Sequence, residues 1–296
     1  MFYHHYFQPK TMQEAIEILR QFNGEARIIA GGTDLIIDLK IQKKKVTALI
    51  DISQIKGVDE IRAAHENICI GPMVTHTQAS TSDLIRRRAT VLSEACSAVG
   101  SPQIRNMGTL VGNIVSAMPA ADATSALMVL ESKVKVMNWP NEERVIPIEG
   151  LHKGPGESAV DSTKEIVTEV EFPIPETQSG SSFQRLSRRK ALSLPILNVA
   201  IFVRLSGDLK VFEGARIVVG PVSPVPFRSR MAENLLVGSP VSEKVIGGAG
   251  SASSDESSPR TSLRGGREYR KEMVKVLVER GIRQALIRIH PKFSSL

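Results

Sequence analysis

Two glycine-bearing stretches hold the residue types best suited to chemistry. In "RIIAGGTDLII", residues 27–37, an apolar run stops at Gly31-Gly32 and is followed at once by Thr33 and Asp34. In "GTLVGN", residues 108–113, Gly108 and Gly112 flank a short apolar pair behind Thr109, with Asn113 next. Successive backbone N–H groups form a concave nest that holds phosphate, and glycine supplies the backbone angles and close approach such a nest requires. Thr33 and Thr109 add hydroxyls, and Asn113 adds a carboxamide. Neither stretch is a Gly-x-Gly-x-x-Gly turn after a strand, and neither has a Walker A lysine. One Gly-Gly bend is more often a tight turn than a ligand site. Two such stretches about 75 residues apart, the second between "SPQIRN" and "PAADAT", point together to a phosphate-bearing ligand.

Other chemistries find less support. Cys69 and Cys96 are the only cysteines, too few for a zinc or iron–sulfur site of four thiolates, and they read as small buried hydrophobes in a reducing cytoplasm. His65 lies four residues before Cys69, but two possible ligands do not make a site, so no metal is expected on this chain. The histidines His4, His5, His65, His76, His152 and His290 are scattered and read as structural or exposed. No catalytic triad or carboxylate pair stands out.

The elements that must position the glycine stretches follow from periodicity. Thr11 to Glu14 has capping-box spacing, and Met12, Ala15, Ile16, Leu19 and Phe22 form one apolar face, with Asn23-Gly24 as a stop. Strands are expected at "RIIA" and "VTALIDIS", on either side of the Gly-Gly bend. A hairpin between "VDEIRAA" and "NICIG", a helix at "TVLSEACSAVG" and strands at "KVKVMNW" and "EIVTEVEFPIP" come next. A boundary is expected in "PETQSGSS", residues 175–182, giving segments 1–55, 56–178 and 179–296. The last segment reads as an antiparallel sheet from 182 to 227, a short helix at "RMAENLLVG", a flexible loop over 247–262 by composition, and a long amphipathic helix over 267–289.

The formal net charge is +7 over 296 residues, with basic clusters at 43–45, 86–88 and 185–190 and more basic residues between 260 and 271. Each cluster reads first as solvated surface and second as a site for an anionic partner. The few aromatic residues are not interleaved with these clusters, which argues against nucleic acid. The longest apolar stretch, "LSLPILNVAIFVRL", is too short to span a bilayer, and "MFYHHYFQPK" does not look like a secretory signal, so a cytoplasmic chain is expected.

Read together, "IIAGGTDLI", "GSPQIRNMGTLVGNIVSAMPAADATSAL", "GLHKGPGE", "FQRLSRRKAL" and "LRGGREYRKEMVKVLVERG" resemble the FAD-binding medium subunit of the xanthine dehydrogenase family of molybdenum hydroxylases. The resemblance implies an α+β chain: a bipartite FAD-binding module of the vanillyl-alcohol-oxidase (PCMH) type, then a C-terminal α+β domain of the CO dehydrogenase flavoprotein type. It implies an electron-transfer role, in which FAD takes electrons from the 2Fe-2S clusters of a small partner subunit and passes them to NAD or another acceptor. Molybdopterin would sit on a large partner subunit. Carried over by position, Arg27, Ile28, Ile29, Ala30, Gly31, Gly32, Thr33 and Asp34 would wrap the FAD diphosphate. Gly108, Thr109, Leu110, Val111 and Gly112 would form a second diphosphate loop, with Asn113 beside it. Asp122 would accept a hydrogen bond from a ribose or ring hydroxyl, and Ile166 and Phe183 would border the flavin. Arg185 and Arg189 are the candidates for a positive charge near the ring.

The family's second loop commonly reads Thr-x-Gly-Gly-Asn, whereas here Val111 stands before Gly112. A β-branched residue adopts positive backbone angles only at a cost, so either the local geometry differs here or binding at that loop is weaker. Some relatives hold an inserted iron–sulfur site, which two cysteines cannot build, so electron flow should end at the flavin. Two other readings compete: a stand-alone FAD oxidoreductase, and a non-catalytic adaptor whose basic faces bind acidic partners.

Overall fold

The computed structural model describes residues 3–189 and 191–296. Its first unit is a parallel three-stranded sheet ordered β1-β3-β2, from β1 (His5–Phe7), β2 (Ala26–Ile29) and β3 (Ala48–Asp51). Helix α1 (Met12–Gln21) crosses from β1 to β2 and buries Ala15, Ile16 and Leu19. Its predicted cap is present: the Thr11 hydroxyl accepts from the Glu14 N–H at 3.1 Å, while the Glu14 carboxylate reaches back to the Lys10 N–H at 2.7 Å. After β2 the chain bends through Gly31-Gly32 into a short helix, α2 (Leu35–Lys40).

The second unit is an antiparallel five-stranded sheet ordered β4-β5-β10-β6-β7. The expected hairpin is β4 (Ile61–Ala64) with β5 (Asn67–Ile70), Ile61 opposite Ile70. Six helices separate β5 from the next strand: α3 (His76–Thr81), α4 (Asp83–Arg88), α5 (Thr90–Ser97), α6 (Pro102–Met107), α7 (Leu110–Val115) and α8 (Asp122–Val129). Of these, periodicity alone had indicated α5. The strands β6 (Lys133–Asn138), β7 (Glu142–Pro147) and β10 (Ile166–Pro173) complete the sheet, and β8 (His152–Gly154) pairs with β9 (Glu157–Ser158) in the glycine-rich loop.

The last sheet, β11 (Ser179–Leu186), β12 (Leu197–Leu205), β13 (Phe212–Gly220) and β14 (Phe227–Arg228), is antiparallel throughout. Then come α9 (Arg230–Leu236), α10 (Glu243–Glu256) and α11 (Arg267–Ile289). The long helix forms where expected and lies across β11 and β12. Residues 247–256 correct the composition-based expectation of a loop: they are the body of α10. Ser242 caps that helix, and its small residues let it approach α11 closely. A Cβ at Gly250 would stand 2.8 Å from Glu279 Cγ and 3.0 Å from the Lys275 carbonyl. Glycine and serine lower helix propensity, and tertiary packing overrides that here.

The largest apolar core does not stop at residues 175–182. Phe183, Ala200, Phe202 and Val218 of the last sheet belong to the same buried cluster as Leu92, Ala95, Leu127 and Phe172. A second cluster fills the space between the last sheet and α9–α11, and a third underlies the N-terminal parallel sheet.

Candidate functional site

A cleft of about 220 Å³ opens where the bend after β2 meets the segment from α6 to α7. The two glycine stretches touch there. A Cβ at Gly31 would lie 1.9 Å from the Met107 carbonyl oxygen, so only a bare backbone fits. Gly32 has φ +66°, which turns the chain away from β2 and into α2. Thr33 lies beside the second stretch, its Oγ1 3.3 Å from the position of a Cβ on Gly108.

The bend leaves its backbone donors free. Among the described residues, no acceptor meets the backbone N–H groups of Gly31, Gly32, Thr33 or Asp34. Four consecutive amide donors at the start of α2 are thus left free for an acceptor from outside the chain, and a run of this kind can serve as an anion-binding nest. The Asn113 side-chain oxygen is likewise buried without a partner at the cleft wall. Arg27 lines the same wall and, among the described residues, has no carboxylate within ion-pair distance, whereas Lys44 is 3.0 Å from Asp38. The two carboxylates on the wall are held differently. Glu165 is engaged by Arg144 at 2.9 Å, and Asp34 has its pKa raised by burial and then by the charge of Asp38.

The second stretch is a helix start. Thr109 has extended backbone (φ −91°, ψ 150°) and its hydroxyl accepts from the Gly112 N–H at 3.0 Å, capping α7. Val111 therefore sits in the first turn of a helix with ordinary backbone angles and is 6% exposed. Here valine needs no positive φ.

All eight residues from Arg27 to Asp34 line the cleft, as do Gly108, Thr109, Val111, Gly112, Asn113 and Ile166. Leu110, Asp122, Phe183, Arg185 and Arg189 stand outside the wall. Leu110 is fully buried in the apolar core behind it. Phe183 and Arg185 project from the same side of β11, and Phe183 joins the core formed with α5 and α8. Arg185 Nε donates to Asp122 Oδ2 at 3.0 Å, and Asn198 Nδ2 donates to the other carboxylate oxygen at 2.8 Å. Both oxygens of Asp122 are thus engaged within the protein, and the charge of Arg185 is matched by a carboxylate. Arg189 is exposed and donates to the Leu192 carbonyl at 3.0 Å.

His76, read from sequence as structural or exposed, is one of several wall residues outside the predicted site set. It begins α3 behind a capping box made by Thr75 and Gln78, and it is 2% exposed. Its N–H bonds the Gly108 carbonyl at 3.0 Å and its Nδ1 has no partner. Burial, then the charge of Arg105, pushes its pKa down to about 4, so the ring is neutral at neutral pH. The one signal in sequence was its place after a cap, which does not separate a wall residue from a core one.

Cys69, Glu169 and Glu171 are close enough together to suggest a metal, but the Lys135 ammonium lies 2.9 Å from Glu169 and 2.8 Å from Glu171. A cation is already built in. Cys69 and Cys96 are free and buried. Among the described residues, no helix is long and apolar enough to cross a membrane.

The fold and the cleft suit a cofactor with an anionic group, and comparison with known proteins defines the family. The pattern of the family described as the FAD binding domain in molybdopterin dehydrogenase matches residues 2–175, and that of the CO dehydrogenase flavoprotein C-terminal domain matches residues 182–285. The chain belongs to this family of FAD-binding oxidoreductase subunits, the xanthine dehydrogenase-type molybdenum hydroxylases. It is 34% identical over 245 residues to the nicotinate dehydrogenase FAD-subunit of Eubacterium barkeri, covering 81% of this chain and 82% of that one. It is 31% identical over 291 residues to subunit alpha of the 6-hydroxypseudooxynicotine dehydrogenase complex of Paenarthrobacter nicotinovorans, covering 98% and 97%. The solved carbon monoxide dehydrogenase of Hydrogenophaga pseudoflava has a chain that superposes with a TM-score of 0.89 at 26% identity, covering 97% of this chain and 98% of that one.

Proposed function

We propose that this chain is the FAD-carrying electron-transfer subunit of a molybdenum hydroxylase, working with a large molybdopterin subunit and a small 2Fe-2S subunit and delivering electrons to NAD or another acceptor. The observation that carries the reading is the run of four unpartnered amides at Gly31–Asp34, in a bend locked against Met107. These amides would bind the FAD diphosphate, and Arg27 would add the positive charge that the bend itself lacks. Asn113 would direct its free oxygen at a cofactor hydroxyl, and Val111, Ile166 and Val167 would keep water from one flank. Asp122, Asn198, Arg185 and Phe183 would act from behind the wall, by fixing α8 against β11 and β12. Bound FAD supplies hydride and single-electron chemistry, and this chain contributes orientation, charge and exclusion of solvent. Relatives named as an FAD-subunit and as a subunit of a dehydrogenase complex support an assembly of several chains. Two free buried cysteines suit a reducing cytoplasm.

The test is the visible spectrum of the purified chain, followed by heat release and identification of any flavin. About one FAD per chain is expected. A folded chain that is colourless and takes up no added FAD overturns the reading.

A further inference from the structure

Two segments outside the cleft lie against each other: one after β11, described at 187–189 and 191–196, and one at 257–266, before α11. The Arg188 guanidinium donates to the Leu263 carbonyl, and Arg270 donates to Ser262 Oγ at 2.7 Å and to the Ile196 carbonyl at 3.3 Å. Five arginines of this face, Arg188, Arg189, Arg260, Arg264 and Arg267, are exposed. Among the described residues, none has a carboxylate within ion-pair distance. Elsewhere in the same sheet and helices arginines are paired, as in Arg228 with Glu233 at 2.8 Å and Arg283 with Glu243 at 2.6 Å.

A sixth arginine makes the imbalance sharper. Arg270 is 4% exposed, hydrogen-bonds only neutral oxygens of Ile196, Pro221 and Ser262, and leaves its Nε without a partner. Burial, and then the charges of Arg260 and Arg264, lowers its pKa. A buried charge without a counter-ion is costly, and an anion docked over this face would relieve that cost. Apolar side chains stand among the arginines: Leu263 is 94% exposed at the tip of the Ser262–Gly265 turn, Leu192 58% and Leu194 53%. A surface needed only for solubility mixes both charge signs and does not cluster leucines.

We infer that this basic, leucine-bearing face docks the partner subunit that delivers electrons, and that the partner presents an acidic rim around an apolar recess. Arginine with large apolar side chains, and no acidic residue in either segment, is the composition of a protein interface; Glu268 at the start of α11 is the nearest exposed carboxylate in sequence, and a small anion would leave the leucines unaccounted for. The face also joins the cleft. The Leu192 N–H donates to the Gly100 carbonyl at 3.1 Å, and Val99 and Ile104, on either side of Gly100, line the cleft wall. The inference rests on the proposed function, since it takes the incoming chain to be the iron–sulfur subunit of the complex.

The test co-expresses the tagged full chain with its partner subunits and measures, on the same sample, FAD per chain and iron–sulfur subunit retained. In Arg260→Glu/Arg264→Glu/Arg267→Glu, retained partner should fall about tenfold at about 0.15 M salt while FAD stays at the wild-type level. Arg87→Glu/Arg88→Glu, on α4, is the control and should retain the partner. Leu263→Asp, at a side chain too exposed to disturb the fold, should lower retention as well. The wild-type complex should loosen as salt is raised to about 1 M. Wild-type retention in both the triple variant and Leu263→Asp overturns the inference, as does equal loss in the α4 control. A wild-type chain without FAD would instead overturn the proposed function.

Discussion

Arg185 Nε lies 3.0 Å from Asp122 Oδ2, and the carboxylate it meets is 3% exposed. Burial wins over this pairing and over the Asn198 hydrogen bond, and pushes the Asp122 pKa up to about 6. Unfolded, the group titrates near 3.8, so between about 4 and 6 the folded state binds more proton and stability falls as pH rises. His76 has the opposite sign. Its pKa is pushed down to about 4 from 6.5, so the unfolded chain binds more proton in that window and stability rises with pH. The two slopes oppose each other where they overlap. Relative to wild type, Asp122→Asn should steepen the rise of stability with pH between about 4 and 6, and His76→Gln should steepen a fall. Urea midpoints measured across this range read both differences, and coincident profiles for all three proteins would remove the assignment.

Gly31→Ala forces the first stretch away from Met107, because the new Cβ would stand 1.9 Å from a carbonyl oxygen. FAD affinity should drop at least about tenfold and the thermal midpoint should fall with it. Gly32→Ala meets only side chains, Ile29 at 3.1 Å and Ile36 at 3.3 Å, and a strained φ of +66°, so it should be the milder change. Fluorescence titration of the apo chain with FAD ranks the two, and the reverse order would refute this account of the bend.

Val111→Gly should destabilise the fold by about 2–4 kcal/mol, through loss of a buried side chain and of helix propensity in α7. Binding of FAD at saturating concentration should survive. A variant as stable as wild type would mean that Val111 is not packed as the structure has it.

Glu94 accepts from the Phe183 N–H at 2.9 Å and from Arg288 Nη1 at 3.0 Å, tying α5 to β11 and α11 with one carboxylate. Glu94→Ala leaves the Phe183 N–H without this acceptor and Arg288 with only the Ser181 carbonyl, and should cost about 2 kcal/mol in a denaturation series. Arg288→Met keeps the Phe183 bond and should cost less.

Much of the architecture was legible in sequence because local and tertiary signals agreed. The cap at Thr11, the apolar stripe of α11 and the alternating strands β6 and β10 each have periodicity matching their buried face. The failures have physical causes. α10 is written in glycine, alanine and serine because it must lie close to α11, and that composition imitates a loop. Helices α3, α4, α6 and α7 are six residues each, too short for a 3.6-residue period to register. Within the cleft, the glycine stretches were readable because backbone geometry restricts residue type. His76 was not, since nothing local separates it from any other buried ring, and the places of Asp122 and Arg185 depend on which side of β11 faces α8.

The groups that line the bend after β2 with hydrogen-bond donors belong to the main chain. Every residue except proline brings such a donor, so what the cleft preserves is a path through space. Ala30, Thr33 and Asp34 can change size and charge, altering the electrical surroundings of a bound cofactor, while the cradle remains. Loss of the site requires bending the path itself. A protein built this way can retune its redox properties over evolutionary time without first surrendering its cofactor.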